Sequence, residues 1–421
     1  MQEYVKAKKK ILLAKLDKLL EQLNALLMDD FPIGDTHKAI GVLVSKAQKI
    51  KSNIDQYENF TAAIRTALAR QVKYILEYSS HILGILARSA TTRNAFELYE
   101  PFKKSSEKFF DDEVYIIMSS EWGYVPFTYP MNIQELPDFI IIGLPATESS
   151  NVLIFPAAAH ELGHSIWLKR NLTEKYSGQI ESAITEYINS NQRLLSPLQV
   201  GGDEDESSNL FSHQLRQQFV IDATESCIRQ LEELFCDFTA LCLYGKSYLY
   251  AFAYLVAPSD GGERSLNYPD TRARAEIMEK YARSIGISVE GYANEFNPDS
   301  QKIRLSYEGI ILRVADNMRA TYTEQIFKDA KNFIMNSGHN LPDDKNISKI
   351  TKFFKSGVPT DQDFSLGEIM TAAWSIFVDW ENYNGGSTQP TLSYISDLVL
   401  KSVESREFRI RMSNAQRIKN N

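Results

Sequence analysis

From Tyr4 to about Leu27 apolar residues return at every third or fourth position, so the chain opens on an amphipathic helix. The stretch "DDFPIGD" breaks that period at Pro32 and Gly34. Two further long helical patterns follow, at about 36–57 and 60–89. The period then changes. "EVYIIM" at 113–118 and "DFIIIGL" at 138–144 are short, Ile-rich and bounded by turn residues, as strands are, and "SSEWGYVPFTYPM" between them has the aromatics and prolines of an ordered loop. Past 150 helical periodicity returns, interrupted by loop compositions at 196–209 and 257–270. The acidic run Asp203–Glu206 reads as a solvated loop, and "REFRIRMSNAQRIKNN" as a fraying terminal helix. No repeat recurs at a fixed period, so the helices form an irregular assembly and not a solenoid. The pattern predicts a mainly α (α+β) fold: an N-terminal helical region over 1–110, a core with a small β-sheet over 111–290, and a C-terminal helical region over 291–421.

Composition narrows this picture. A chain of 421 residues, 43% hydrophobic, can bury a large core and has room for two or three structural units. A formal charge of -8 gives no electrostatic reason to expect nucleic acid as a partner. Three cysteines, Cys227, Cys236 and Cys242, are too few and too closely grouped for a disulfide framework, which points to a reducing compartment. The basic N-terminal stretch has charges among its apolar positions and no small-residue cleavage site, unlike a secretory signal, and no apolar run reaches the length of a membrane span. A cytoplasmic protein is the expectation.

The chemistry lies in "FPAAAHELGHSIWLKR", from Phe155 to Arg170, which places two of the six histidines four residues apart with a glutamate after the first. Pro156 suits a helix's first turn, and the alanines and apolar residues after it continue the helix. On that helix His160 and His164 share a face, where two imidazoles can bind one metal ion. Glu161, one residue round, is placed to reach a water instead of the ion, as a general base must. Gly163 costs roughly 1 kcal/mol of helix propensity relative to Ala, tolerable where something approaches closely. A shuffled chain of this composition would hold such a motif about 0.6% of the time, so chance is set aside. Catalytic zinc needs a third protein ligand. Six downstream glutamates are candidates: Glu174, Glu181, Glu186, Glu225, Glu232 and Glu233. Only Glu233 has an aspartate four residues on, Asp237, which on a helix shares its face and can accept a hydrogen bond from a ligand histidine. Glu232 is turned about 100° from that face, so its loss is expected to leave a bound metal in place.

His160-Glu161-x-x-His164 followed by Glu233-x-x-x-Asp237 resembles the gluzincin group of zinc metallopeptidases, over about 138–280. The resemblance implies a zincin-like core in which an active-site helix packs beside a small sheet whose edge strand holds an extended peptide, with zinc (Zn2+) on His160, His164 and Glu233, Glu161 as base and Asp237 behind a ligand. The separation of His164 and Glu233 exceeds that of compact members, and Glu186 stays open as the alternative third ligand. "NYPDTRAR" at 267–274 is similar to the segment found after the glutamate ligand in some zincins, with Tyr268 where a histidine would be. It makes Tyr268 a candidate oxyanion donor, and Arg272 or Arg274 an orienting residue. His213 is a weaker oxyanion candidate, "GKSYLYAFAYL" reads as core, and the loop Trp122–Tyr129 as a cleft wall.

The leading expectation is a zinc metalloendopeptidase acting on a protein or peptide substrate, with no nucleic acid and no membrane span. The alternative is a helical interaction or regulatory protein whose zinc site is structural or latent and whose helical flanks bind a protein partner. Hydrolysis of a non-peptide amide is a third.

Overall fold

A computed structural model of the chain describes residues 2–420 apart from 57–60, 92–95, 131–132, 135, 192–205, 259–263, 299–305 and 381–388. The chain divides into two compact units, Met1–Lys103 with Asp112–Ser150, and Lys104–Asp111 with Asn151–Asn421.

The first unit holds three long helices, α1 (Gln2–Leu26), α2 (Gly34–Gln56) and α3 (Ala62–Thr91), most of α4 (Phe96–Glu107), and a sheet of β1 (Tyr115–Glu121), β2 (Phe127–Pro130) and β3 (Phe139–Pro145). The helices meet along the apolar stripes that their periodicity predicts. Leu16 and Leu23 of α1, Ile40 and Leu43 of α2 and Val72 and Leu86 of α3 enter one buried cluster, which also takes Ile117 and Ile141 from the sheet. β3 lies between β1, to which it runs parallel, and β2, to which it runs antiparallel. It is buried along its whole length, hence the continuous apolar run in its sequence. β2 falls inside the segment expected to be loop. Its four residues are too few to show a period, and pairing with β3 makes them a strand. At Gly143 the Phe127 ring fills the space a side chain would need, since an added Cβ would lie 2.3 Å from it. Buried Asp35 joins α2 to α4 and β1. It accepts hydrogen bonds from Tyr99 Oη at 2.7 Å and the Ile116 amide at 3.0 Å, and both of its oxygens accept from Lys103 Nζ.

The second unit is built around one long helix. α5 (Ala157–Lys169) and α6 (Leu172–Ser190) precede α7 (Glu206–Tyr244), which runs for 39 residues, about 58 Å at 1.5 Å per residue. From Gln230 to Cys242 α7 is buried on every side, and α5, α6 and α10 (Tyr307–Asn336) pack along the helix. α8 (Lys246–Val256) turns back at Gly245, whose φ of +59° favours a residue without Cβ. α9 (Thr271–Ser284), α11 (Asp344–Lys355), α12 (Leu366–Val378) and α13 (Leu392–Asn420) complete the unit. α12 starts at a capping box between Ser365 and Glu368 and presses Gly367 against the end of α7, where an added Cβ would meet the Leu243 carbonyl oxygen at 2.2 Å.

The mainly helical class and the small sheet match the sequence pattern. The contact boundaries differ from the three expected regions: the sheet shares a core with α1–α3, and the helices after 291 belong with α7 because α10 packs along it. Among the described residues no helix is long and apolar enough to cross a membrane.

Candidate metal centre

α5 starts one residue past Pro156, and from Ala157 to Trp167 every residue but His164 is buried. Such a helix can lie close against a neighbour if its side chains are small, and Gly163 is the point of closest approach. A Cβ there would stand 2.7 Å from Cys236 Cα and 3.0 Å from Cys236 Sγ, closer than packed atoms come. The crowding suggested by this glycine is the backbone of α7.

That approach brings the motif residues together. The rings of His160 and His164 stand 5.2 Å apart, nearly perpendicular at 84°. His160 Nε2 lies 3.4 Å from Glu233 Oε2, and His164 Nε2 lies 3.6 Å from Glu233 Oε1. The three side chains expose only 11, 14 and 10% of their surface, so the cluster is nearly closed to solvent. Two donors bound to one tetrahedral ion at about 2.05 Å are about 3.3 Å apart, close to the spacings found here. Two imidazoles and a carboxylate are also a donor set of catalytic zinc. His160, His164 and Glu233 thus offer the chemistry and the pairwise spacings an ion needs, while the trio whose donor atoms all lie within 4.8 Å of one another is His160, His164 and Cys236.

Behind each imidazole stands a carboxylate of α7. His160 Nδ1 donates to Asp237 Oδ1 at 3.0 Å and His164 Nδ1 to Glu232 Oε1 at 2.9 Å. A neutral imidazole held in this way keeps its lone pair on Nε2, the nitrogen facing Glu233. The Asp237 contact is the one its spacing predicted. Glu232, not expected to be the third ligand, stands behind a histidine: it does not share the Asp237 face, yet it reaches His164 because α5 carries that residue one turn further along. The second Glu232 oxygen accepts from Arg229 at 3.2 Å.

Asp237 is fully buried and saturated with donors. Besides His160 it accepts from Tyr248 Oη at 2.5 Å and from Arg274 through Nε at 2.5 Å and Nη2 at 2.7 Å. Arg274 Nη2 also lies 3.3 Å from Glu233 Oε2, and its guanidinium stacks 4.8 Å over the Phe252 ring. Burial opposes the Asp237 charge, but Arg274 and His160 outweigh it and hold the carboxyl well below its usual range. For His160 burial disfavours the proton, yet Asp237 and Glu233 outweigh this and push its pKa up to about 10. Glu161 is 7% exposed, and burial pushes its carboxyl up against the lowering effect of the two histidines. It is not among the carboxylates paired with the rings, as suits a base.

Cys236 Sγ also comes within 4.8 Å of a ring nitrogen of each histidine, which makes it a donor by distance. Burial, then the charges of Glu233, Glu232, Asp237 and Glu161, raise the thiol pKa in the ion-free site, so a metal taken there would have to displace a proton, as it would at His160. Among the other glutamates considered, Glu174, Glu181, Glu186 and Glu225 are exposed, Glu186 on the solvent face of α6.

The stretch 267–274, which runs into α9, carries the expected tyrosine and arginines. Arg274 enters the site, while Arg272 pairs with Glu276 near the surface. Tyr268 is 52% exposed. Partial burial and the charges of Glu233, Glu161 and Glu232 raise its hydroxyl pKa, with Arg274 opposing. Tyr248, read from sequence as core, is core, and its hydroxyl completes the Asp237 shell. Trp122 and Val125, 83% and 78% exposed, lie between β1 and β2 in the first unit. The side chain of His213 and residues 203–205 lie outside the described residues, and Glu206, expected in the same loop, opens α7. No protein-family model, curated protein or solved structure matches the chain, so the likeness to gluzincins rests on His160, Glu161, His164, Glu233 and Asp237.

Proposed function

We propose that this chain is a zinc-dependent metallopeptidase of gluzincin type that hydrolyses peptide bonds in a protein or peptide substrate. The observation that carries the reading is the pair of imidazole Nε2 atoms facing the two oxygens of Glu233, each ring backed by its own carboxylate. His160, His164 and Glu233 would hold the ion, and bound zinc supplies Lewis acidity and a water acidified toward neutral pH. Glu161 takes the proton of the attacking water and passes it to the leaving amine. Its raised pKa suits both halves of that transfer. Tyr268 donates a hydrogen bond to the oxygen on which negative charge develops. Asp237 and Glu232 keep the imidazoles oriented, and Arg274 balances the carboxylates around them.

The test is elemental analysis for zinc, followed by cleavage of a denatured general protein substrate with and without a chelator. About one zinc per chain and chelator-sensitive cleavage are expected. Glu161→Gln keeps the side chain's size and removes the base, so cleavage should collapse while zinc stays. The burial of the three ligands also favours a second reading, a structural or latent zinc site in a helical regulatory protein. That reading predicts zinc in the wild type with no hydrolysis.

A further inference from the structure

α7 carries more of the site than its ligand. Ser226, Gln230, Glu233 and Asp237 are spaced four, three and four residues apart, so on a helix of 3.6 residues per turn they fall within about 60° of arc. All four are polar and buried, Gln230 and Asp237 completely. The C-terminal half of this stripe serves the metal centre. The N-terminal half grips a different segment: Ser226 Oγ donates to the Leu266 carbonyl at 2.6 Å, and Gln230 Nε2 donates to the same oxygen at 3.4 Å. Gln230 is held in turn by Arg319 of α10, whose Nη1 donates to its Oε1 at 3.2 Å.

The gripped segment runs from Arg264 to Arg274 and is fixed along its length. Arg264 makes a two-pronged ion pair with Asp316 of α10, at 2.7 and 2.8 Å, and Arg319 joins the same carboxylate at 3.0 Å. Leu266 is held by α7. Asp270 caps α9 by accepting from the Ala273 amide at 2.9 Å, and Arg274 closes on Asp237 and Glu233. Between the second anchor and the cap lies Tyr268, half exposed, two residues past the carbonyl held by α7 and six before the arginine that closes on Asp237 and Glu233. Two side chains one turn apart are thus committed to a single carbonyl two residues before this tyrosine.

We propose that Ser226 and Gln230 are positioning residues: by holding the Leu266 carbonyl they set Tyr268 at the mouth of the metal centre, where it meets the substrate's reacting carbonyl. The inference rests on the peptidase reading. It assigns the stripe two linked tasks, holding the ligand side of the centre and holding the segment that faces it.

Ser226→Ala and Gln230→Met remove the two donors at little change of volume, singly and together, in the full-length chain and alongside Tyr268→Phe. Three results are expected. Zinc content stays at the wild-type level. Hydrogen exchange of the 265–268 and 270 amides quickens about tenfold or more, a change read without any turnover. The kcat of the double variant falls about tenfold with KM nearly unchanged, and in the Tyr268→Phe background the same two changes cost less than about twofold. Unchanged exchange at these amides, loss of zinc, or kcat losses that multiply independently of Tyr268 would each overturn the positioning role. Should Gln230→Met fail to fold, Ser226→Ala alone decides by the same readings. A wild type that binds zinc and cleaves nothing overturns the peptidase reading itself, an outcome distinct from an active wild type whose anchors do not couple to Tyr268.

Discussion

Two imidazoles and five charged side chains within a few ångströms make protonation and metal binding competing events. His160 carries a proton with a pKa raised from 6.5 to about 10, whereas a zinc ligand must be neutral. Zinc uptake at pH 8 should therefore release at least one proton, read by calorimetric titration in two buffers of different ionisation heat. Apparent affinity should climb about tenfold per pH unit between about 6.5 and 10. Without metal the sign reverses: the raised pKa contributes stability that is fully present below about 6.5 and lost as pH rises through about 10. Competition with a zinc chelator tests the ligand roles. Glu233→Ala should lose most of the metal, and Glu186→Ala, on an exposed face, should keep it. Asp237→Ala and Glu232→Ala should each weaken binding by roughly 10–100-fold, since each frees one imidazole to turn. Zinc affinity unaltered in Glu232→Ala would mean that its bond to His164 Nδ1 orients nothing. His160, His164, Glu233 and Asp237 were legible in the sequence as a candidate cluster because each pair lies on one helix, where spacing alone decides what shares a face. Glu232 and Tyr248 were not, because both contacts depend on how one helix crosses another.

Helices α5 and α7 touch backbone to side chain, and the fit turns on a single missing methyl. Gly163→Ala would drive a Cβ to 2.7 Å from Cys236 Cα, a backbone atom that cannot swing aside, so the helices must separate. The expected cost is about 1–3 kcal/mol in denaturant unfolding. Zinc affinity should fall as well, because Gly163 sits between the two histidines and any separation carries them from Glu233. A fully stable variant with wild-type zinc affinity would show that the contact yields without moving the ligands. The same element scale shows where pattern reading stops. Long stripes gave α1–α3 and α5 to within a few residues, and the Ile-rich runs gave β1 and β3, because burial on a regular element leaves a period. β2, four residues long between prolines, leaves none, and its pairing with β3 is a matter of tertiary position.

Across the molecule the candidate ligands all belong to the unit built on α7, and the sheet to the other unit. Zinc at a hundred times its dissociation constant would stabilise the unit that binds it by about 2.7 kcal/mol, provided the unfolded chain does not bind it. Chelation should therefore raise hydrogen exchange along α5, α7 and α9 while α1–α3 and the sheet keep their protection, and a uniform rise over both units would contradict this assignment. Division by contact was hard to read from the chain, because it depends on which apolar stripes meet and a stripe does not name its partner. The buried polar stripe of α7 carries a further consequence, in angle. One residue inserted between Gln230 and Glu233 rotates everything beyond it by about 100° and advances it by about 1.5 Å, so the grip on Leu266 and the grip on the histidines would fall out of phase. Seven inserted residues would restore the angle to within about 20° but displace the two grips along the axis by about 10 Å. This stretch of α7 therefore tolerates changes of side chain far better than changes of length, and variation in chain length belongs before Ser226 or beyond Asp237.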